Sequence, residues 1–306
     1  MQQLRSACAE VAQRAQHVRI DRDAIGLYAV SLPLDRPWPA DPADRDAPLS
    51  GATREESAAF CLTLDAINFG SGWFPTLRKR AARTGYYTIW AGIRERFGEH
   101  GPWSARELTE IQATALARVL GQSPGHELMM LFAHSLRDLG HHVWTEYDGR
   151  FAEVVDRAAP SAVALAEQLG SWTSFADTSR YDELVIPFLK RAQIAAADLA
   201  RARVAEFRDL DRLTMFADNL VPHVLRLDGI LGFDRSLVER IDRGQLIEHN
   251  CREEIEIRAC AVHAVELIVA ARPDSCAAQV DQVLWQRGQD RRYKSQPRHR
   301  SRCTAY

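Results

Sequence analysis

The sequence lacks the glycine-rich loops that hold nucleotide phosphates. Neither G-x-G-x-x-G nor G-x-x-x-x-G-K-[S/T] occurs in the 306 residues, which excludes a nucleotide cofactor bound in either of those ways. No H-E-x-x-H or C-x-x-C motif is present, and no histidine stands at zinc-binding spacing from a cysteine. Because zinc sites need such clustered ligands, the sequence supports no metal site.

A long apolar run and a strong net charge are also missing. No apolar run is long enough to cross a bilayer. The 39 Lys plus Arg balance 41 Asp plus Glu, so no overall positive field is available for a nucleic-acid backbone. The six cysteines stand singly, and we find no signal peptide before them, which is typical of reduced thiols in the cytosol. We expect a cytoplasmic protein without a membrane partner and without a stably bound nucleic acid.

The sequence does contain a helical pattern along nearly its whole length. Apolar residues recur at spacings of three and four, which predicts an all-α fold. The longest periodic stretches cover residues 149–170, 181–209 and 251–271, and no internal repeat relates them. Residues 33–51 contain five prolines and predict an irregular loop on the surface.

Two helix starts are marked by side-chain spacing. Thr53 is followed three residues later by Glu56, and Ser104 by Glu107. In a capping box, the hydroxyl and the carboxylate accept hydrogen bonds from each other's backbone N–H groups. Both pairs therefore predict the first turn of a helix.

Asp218 is the most informative residue of the chain. It lies in residues 213–225 (LTMFADNLVPHVL), an apolar run that also contains Pro222. An ionised group in a dry setting is costly without partners, so Asp218 is either held in a hydrogen-bond network or ready for chemistry. The structural alternative is a cap on a helix that starts at Asn219, with Pro222 in its first turn.

Asp65 is a second acid in an apolar run, and Asn68 follows it by three residues. On a helix these two residues share one face, where they bind each other, a neighbouring helix or a small polar ligand. The structural alternative is a buried polar pair that fixes the packing of the helix.

A third segment combines aromatic, acidic and basic residues. Phe175 and Asp177 lie in a polar turn, and a ring beside an acid suits a heterocyclic cation, by stacking and by pairing at the edge. A helix cap by Asp177 is the alternative. Lys190 and Arg191 interrupt an apolar stretch and suit an anionic group such as phosphate, unless they form a solvated helix face.

Five segments, in this order, resemble the queuosine salvage protein family, the queuosine 5'-phosphate N-glycosidases. The segments are LDAINF (64–69), FLKRAQI (188–194), LTMFADNLVPHVL (213–225), EEIEIRACAVHAVELI (253–268) and PRHRSRCTAY (297–306). Each segment alone is a weak signal, but five at compatible spacings are specific. The resemblance extends from Leu4 to Tyr306.

The resemblance implies a single compact all-α domain over residues 1–306, similar in shape to helix-hairpin-helix DNA glycosylases. It implies hydrolysis of queuosine 5'-monophosphate to queuine and ribose 5-phosphate, without a metal or organic cofactor. Asp218 falls on the family's Phe-Ala-Asp acid and takes the catalytic role, while Phe175 and Asp177 lie in the segment that holds the base. The resemblance also implies that the basic residues 297–306 are ordered rather than frayed.

The chain departs from the family pattern next to Asp218. The family more often reads A-D-Y-R-x-P-Q where this chain reads A-D-N-L-V-P-H, so Asn219 and His223 stand where the family has tyrosine and glutamine. We expect Asn219 and His223 to contact the substrate with different groups. The proline-rich residues 35–50 depart from the pattern as well.

The expected chemistry fits these residues. Cleavage of an N-glycosidic bond builds positive charge on the ribose, which a carboxylate beneath the anomeric carbon stabilises or attacks. We expect this role for Asp218, which would also orient the water. We expect Asp177 to pair with the amine or the aminopyrimidine edge of the base and Phe175 to stack on it. The candidate cations for the 5'-phosphate are Lys190, Arg191, Arg258, His299, Arg300 and Arg302.

Two other classes of protein stay open on the sequence. A glycosylase-like module that acts on a base in DNA or RNA would need a basic face and salt-dependent binding. A non-catalytic helical protein would bind a nucleobase or a protein without turnover. Release of queuine from queuosine 5'-monophosphate separates the proposed enzyme from both.

Overall fold

The computed structural model describes residues 1–35, 51–81 and 83–306. Most of these residues are helical, which confirms the all-α prediction. The α-helices of the described residues are α1 (Gln2–Arg14), α2 (Ile25–Ser31), α3 (Arg54–Ala66), α4 (Gly85–His100), α5 (Ala105–Thr109), α6 (Ala113–Val119), α7 (Glu127–Glu146), α8 (Phe151–Ala158), α9 (Ala162–Gly170), α10 (Lys190–Arg201), α11 (Leu220–Leu227), α12 (Arg235–Asp242), α13 (Arg252–Ala271), α14 (Ala277–Arg287) and α15 (Arg291–Lys294).

Short strands and single-turn helices complete the described structure. The strands are β1 (Val18–Ile20), β2 (Thr178–Tyr181), β3 (Leu184–Pro187) and β4 (Leu231–Phe233), and the 3-10 helices are Phe74–Thr76 and Leu210–Arg212. Strand β1 pairs antiparallel with β4, with Val18 opposite Phe233. Strands β2 and β3 form an antiparallel hairpin, with Thr178 opposite Pro187.

Both predicted capping boxes are confirmed. The Thr53 backbone N–H donates to Glu56 Oε2 at 2.7 Å, and the Glu56 N–H donates to Thr53 Oγ1 at 3.2 Å. The same exchange joins Ser104 and Glu107 at the start of α5, with distances of 2.8 and 3.2 Å. These helix starts depend on contacts within four residues, which explains why spacing alone predicts them.

The three long periodic stretches have different outcomes. All but the first of residues 251–271 belong to α13. Residues 149–170 are divided into α8 and α9 because Pro160, between them, has no N–H to donate and fits poorly inside a helix. The stretch 181–209 is helical only in α10, and its first residues belong to the β2–β3 hairpin. Most of the predicted loop 33–51 lies outside the described residues.

The helices surround two hydrophobic cores. The first core is built mainly by α3, α7, α9 and α10. The second core is built around α13, which packs against α1, α2 and α14. The likeness to helix-hairpin-helix glycosylases and the single-domain boundary stay predictions.

Residues 297–306 are ordered and packed, as the family resemblance implied. His299, Ser301 and Tyr306 are buried, and the Gly70 N–H donates to the Tyr306 carbonyl at 3.0 Å. A Cβ on Gly72 would collide with the Ser301 carbonyl, so this close approach of the two segments requires glycine. The segment thereby forms part of the wall described below.

No helix in the described part of the chain is long and apolar enough to span a bilayer. The cytoplasmic location stays a prediction.

Candidate active site

A cavity of about 420 Å³ opens between helices of the two cores. This volume is within the usual range for a small-molecule site. It is lined by Asn68, Phe69, Ser71, Phe74, Thr84, Tyr86, Tyr87, Lys190, Ile194, Asp198, Arg201, Phe216, Asp218, Asn219, Leu220, Asp281, Gln282, Trp285, Gln286, Gln289, Lys294, Arg298 and Tyr306. Acidic, basic and aromatic side chains therefore line the same cavity.

Asp218 both caps a helix and lines this cavity. Its Oδ1 accepts hydrogen bonds from the backbone N–H groups of Leu220, at 2.8 Å, and Val221, at 3.0 Å, in the first turn of α11. Its Oδ2 accepts no hydrogen bond from the described residues. The cap predicted from the sequence is thus present, and it leaves one carboxylate oxygen unoccupied at the cavity wall.

Lys190 brings a buried ammonium group to the same cavity. It is the first residue of α10, and its Nζ donates to the Asn68 carbonyl at 2.8 Å. Burial lowers the pKa of Lys190 to about 8, although the nearby Asp218 carboxylate opposes this shift. The alternative that Lys190 lies on a solvated face of a helix is therefore wrong.

Asp281 is a cavity residue that the sequence analysis missed. It lies in the second turn of α14, and its Oδ1 accepts a hydrogen bond from the Phe216 N–H at 3.0 Å. Burial, and then the charge of Asp218, raise its pKa well above the usual value, which favours a neutral carboxyl group that is able to donate. The available signal was the same as for Asp218, a single acid in an apolar helical stretch.

Asp65 and Asn68 form the buried polar pair that the sequence analysis gave as an alternative. Asn68 Nδ2 donates to Asp65 Oδ1 at 3.4 Å, but Asn68 lies beyond the end of α3 and lines the cavity, whereas Asp65 lies inside the helix. Burial raises the pKa of Asp65 and of Asp198, the cavity acid on α10. Asp65 therefore supports the wall rather than forming its surface.

Aromatic side chains form the apolar part of the cavity wall. The ring centroids of Tyr86 and Trp285 lie 6.0 Å apart, and those of Tyr87 and Trp285 lie 6.2 Å apart. Phe216 lines the cavity two residues before Asp218. A flat heterocycle near Asp218 therefore has aromatic partners available.

Phe175 and Asp177 do not line the cavity, which differs from their expected role at the base. Phe175 is fully buried in the first core. Asp177 Oδ2 accepts from the Lys190 N–H at 3.0 Å and pairs with Arg258 Nη2 at 2.6 Å, with both side chains fully buried. Asp177 thus holds the start of α10, which is close to the predicted alternative of a helix cap.

Arg191 and His223 also lie behind the wall. Arg191 Nη1 donates to the carbonyls of Ala66 and Ser174, so it is already occupied by the protein. His223 Nε2 lies 2.9 Å from the Tyr293 carbonyl, and burial lowers its pKa to about 4. Neither residue is among the cavity-lining residues, which differs from the expected substrate contacts.

Asn219 lines the cavity as expected. Its Nδ2 donates to Ser71 Oγ at 3.0 Å and to the His299 carbonyl at 3.1 Å. These bonds tie the start of α11 to the segment after α3 and to residues 297–306. Asn219 therefore positions the backbone next to Asp218 as well as contributing to the wall.

Arg258 lies behind Asp218 and connects it to α13. Its Nε donates to the Ala217 carbonyl at 2.9 Å, one residue before Asp218, and its guanidinium also pairs with Asp177 and Glu254. Although burial acts in the opposite direction, the hydrogen bond from His249 and the charge of Arg258 lower the pKa of Glu254 to about 2. Arg258 is a positioning residue in this arrangement.

Among the described residues, no group of three or more His, Cys, Asp and Glu side chains has the arrangement of a metal site.

Comparisons with known proteins agree with the resemblance seen in the sequence. A family model described as "Queuosine salvage protein" matches residues 49–306. A Sphaerobacter thermophilus protein named queuosine 5'-phosphate N-glycosylase/hydrolase is 33% identical over 309 residues, which cover 97% of this chain and 95% of that protein. A Mus musculus protein of the same name is 24% identical over 332 residues, or 99% of this chain and 98% of that protein. The chain therefore belongs to the queuosine salvage protein family.

Proposed function

We propose that this protein hydrolyses the N-glycosidic bond of queuosine 5'-monophosphate and releases queuine and ribose 5-phosphate. The names of its relatives support the substrate and the reaction class. The observation that carries the proposal is Asp218, which lines the cavity with one oxygen held by two backbone N–H groups and the other unoccupied. The two hydrogen bonds fix the direction of the carboxylate, as stabilisation of a cationic transition state requires.

Asp218 acts on the ribose in this mechanism. As the bond between the anomeric carbon and the base breaks, the electron pair leaves with the base and positive charge develops on the ribose. The free oxygen of Asp218 stabilises that charge. Water then adds to the anomeric carbon and gives a proton to the carboxylate, which acts as the general base. Asp218 releases this proton to solvent, and the departed base anion takes up a proton from solvent to become neutral queuine.

Asp281 assists departure of the base. Queuine is a 7-deazapurine and lacks the N7 atom that would accept a proton in an ordinary purine. A neutral carboxyl group at Asp281 donates a hydrogen bond to the edge of the base and stabilises the negative charge that develops there. Asp281 takes over the pairing role that the sequence analysis assigned to Asp177.

Phe216 and Trp285 provide the stacking surface that the sequence analysis sought in Phe175. Both line the cavity, and Phe216 lies on the same short segment as Asp218. A base that stacks on Phe216 lies close to the Asp218 carboxylate at its glycosidic end. The balance of 39 Lys plus Arg against 41 Asp plus Glu also supports a small-molecule substrate over a polynucleotide.

The decisive experiment is direct turnover. The purified protein is incubated with queuosine 5'-monophosphate, and queuine and ribose 5-phosphate are quantified by mass spectrometry. We expect the two products in equal amounts and at a rate proportional to the enzyme concentration. Absence of free queuine under conditions where the intact nucleotide binds would refute the proposal and favour a non-catalytic nucleobase-binding protein.

A further inference from the structure

Arg298 is a cavity cation that the mechanism above does not use. It lines the cavity, and its guanidinium group forms no hydrogen bond or ion pair with any residue in the described ranges 1–35, 51–81 and 83–306. Arg298 is not among the candidate phosphate ligands expected from the sequence. Arg298 is half-buried, and a partly buried arginine without a partner in the protein suits a ligand that supplies the negative charge.

Five of the six cations expected at the phosphate are engaged elsewhere or neutral, whereas the sixth, Lys190, lines the cavity and donates to the Asn68 carbonyl. Arg300 Nη2 donates to the Gly244 carbonyl at 2.8 Å, and Arg302 Nη1 lies 3.7 Å from the Glu127 carboxylate. Arg191 donates to backbone carbonyls, and Arg258 pairs with buried acids. Burial lowers the pKa of His299 to about 3, so that ring is neutral. None of these five residues lines the cavity.

One ribose phosphate is able to contact both Asp218 and Arg298. The two residues line the same cavity but form no ion pair with each other. Burial lowers the pKa of Arg298 while the Asp218 carboxylate opposes that shift, so the groups are close enough to interact without touching. A ribose with its anomeric carbon at Asp218 carries its 5'-substituent into the same cavity, which Arg298 also lines.

Lys294 provides a second cation on the same side of the cavity. It lines the cavity from the end of α15 and forms no side-chain hydrogen bond with the described residues. Burial, followed by the charge of Arg298, lowers its pKa. Two neighbouring cations create a local positive potential. A bound phosphate dianion reduces the repulsion between them.

We propose that Arg298, assisted by Lys294, binds the 5'-phosphate and makes the enzyme prefer the nucleotide to the unphosphorylated nucleoside. This inference rests on the proposed function. The planar guanidinium donates two parallel N–H bonds to phosphate oxygens, while the more exposed Lys294 adds a weaker, solvent-screened attraction. Asp218 and Asp281 then meet the same ribose and base in either substrate.

The test compares Arg298→Gln, Arg298→Lys, Lys294→Met and wild type on queuosine 5'-monophosphate and on queuosine. For Arg298→Gln we expect kcat/KM to fall about 50-fold for the nucleotide, mainly through KM, and less than about threefold for the nucleoside, because two charge-assisted hydrogen bonds are lost. Arg298→Lys should recover part of the loss. Lys294→Met should cost about threefold, because an exposed charge is screened by water.

Arg300→Gln is the matched control, because its side chain binds a backbone carbonyl outside the cavity. It should leave the nucleotide-to-nucleoside ratio unchanged. Inhibition by ribose 5-phosphate gives a second measurement, and Arg298→Gln should weaken it as strongly as it raises KM. An equal loss for both substrates in a variant with the wild-type melting temperature would overturn the inference. Absence of turnover of both substrates by the wild type would instead overturn the proposed function.

Discussion

Two groups of charged side chains lie on either side of the cavity wall and differ in how completely they are paired. The Arg258 cluster comprises Asp177, Glu254 and Arg258, and its arginine lies 2.6 Å from one acid and 3.7 Å from the other. The Asp218 cluster comprises Lys190, Asp218, Asp281 and Arg298, and no ion pair joins any two of these four residues. The charged groups of the first cluster pair with one another, whereas those of the second cluster form no ion pair with one another.

This difference separates a structural role from a functional one. A paired buried charge loses little on folding because its partner replaces water, but an unpaired charge keeps the full cost of desolvation. A protein retains such a cost where binding or chemistry requires it. Composition does not distinguish the clusters, since both contain acids and bases from apolar segments.

The largest expected effect comes from Asp218→Asn. The amide oxygen of Asn still accepts the N–H groups of Leu220 and Val221, so we expect an unchanged melting temperature. The negative charge is lost, and kcat should fall by about 10³-fold or more. Queuine release measured by mass spectrometry gives the rate.

Asp234→Asn is the matched control for this substitution. Asp234 also caps a helix, since its Oδ1 accepts from the Leu237 N–H at 2.7 Å, but it does not line the cavity. The kcat of Asp234→Asn should stay within about twofold of the wild-type value, because a surface substitution away from the site has little effect. Normal queuine release by the Asp218 variant would remove this residue from the mechanism.

Arg258→Met tests the paired cluster by a change in stability. Removal of the guanidinium leaves Asp177 and Glu254 buried without their partner, so the free energy of unfolding should fall by about 3 kcal/mol. Urea unfolding measures this change. Arg300→Met, at a cation on a backbone carbonyl, should cost less than about 1 kcal/mol. Equal losses in the two variants would contradict the structural role of the Arg258 cluster.

The pH profile tests the unpaired cluster through Lys190. Burial lowers its pKa to about 8, so the ammonium group loses its proton as the pH rises through that value, and its charge-assisted hydrogen bond to the Asn68 carbonyl in the cavity wall weakens. We expect kcat to decrease above about pH 8 and to approach a tenfold loss per pH unit. In Lys190→Arg the charge persists at high pH, so this decrease should disappear. An identical alkaline limb in both proteins would assign it to another group.

The smallest expected effects distinguish Phe175 from Phe216. Phe216→Leu removes a ring from the cavity wall and should raise KM about fivefold, since aromatic stacking contributes about 1 kcal/mol. Phe175→Leu changes the first core and should lower the free energy of unfolding by about 1 kcal/mol, with KM within about twofold. Steady-state kinetics and urea unfolding of both variants give the comparison. A larger increase in KM for Phe175→Leu than for Phe216→Leu would assign the contact with the base to Phe175.

Local features were predictable from the sequence because their partners are near in the chain. The capping boxes at Thr53 and Ser104, the helix α13 and the cap by Asp218 all depend on residues within a few positions. The family was also recognisable, because its segments retain their order. The hairpin of β2 and β3 was missed because its apolar residues fit a helical period equally well.

The sequence by itself determined the helical class and the family, since periodicity and motif order are properties of the chain, and it singled out Asp218 as a lone acid in an apolar run. Only the tertiary structure decided which charges are satisfied. Asp177 meets Arg258 across 81 residues, and Asp281 meets Phe216 across 65. Such distant pairs leave no periodic signal, so the tertiary structure was needed to show that Asp177 and Arg258 pair behind the cavity wall while Asp281 and Arg298 line it.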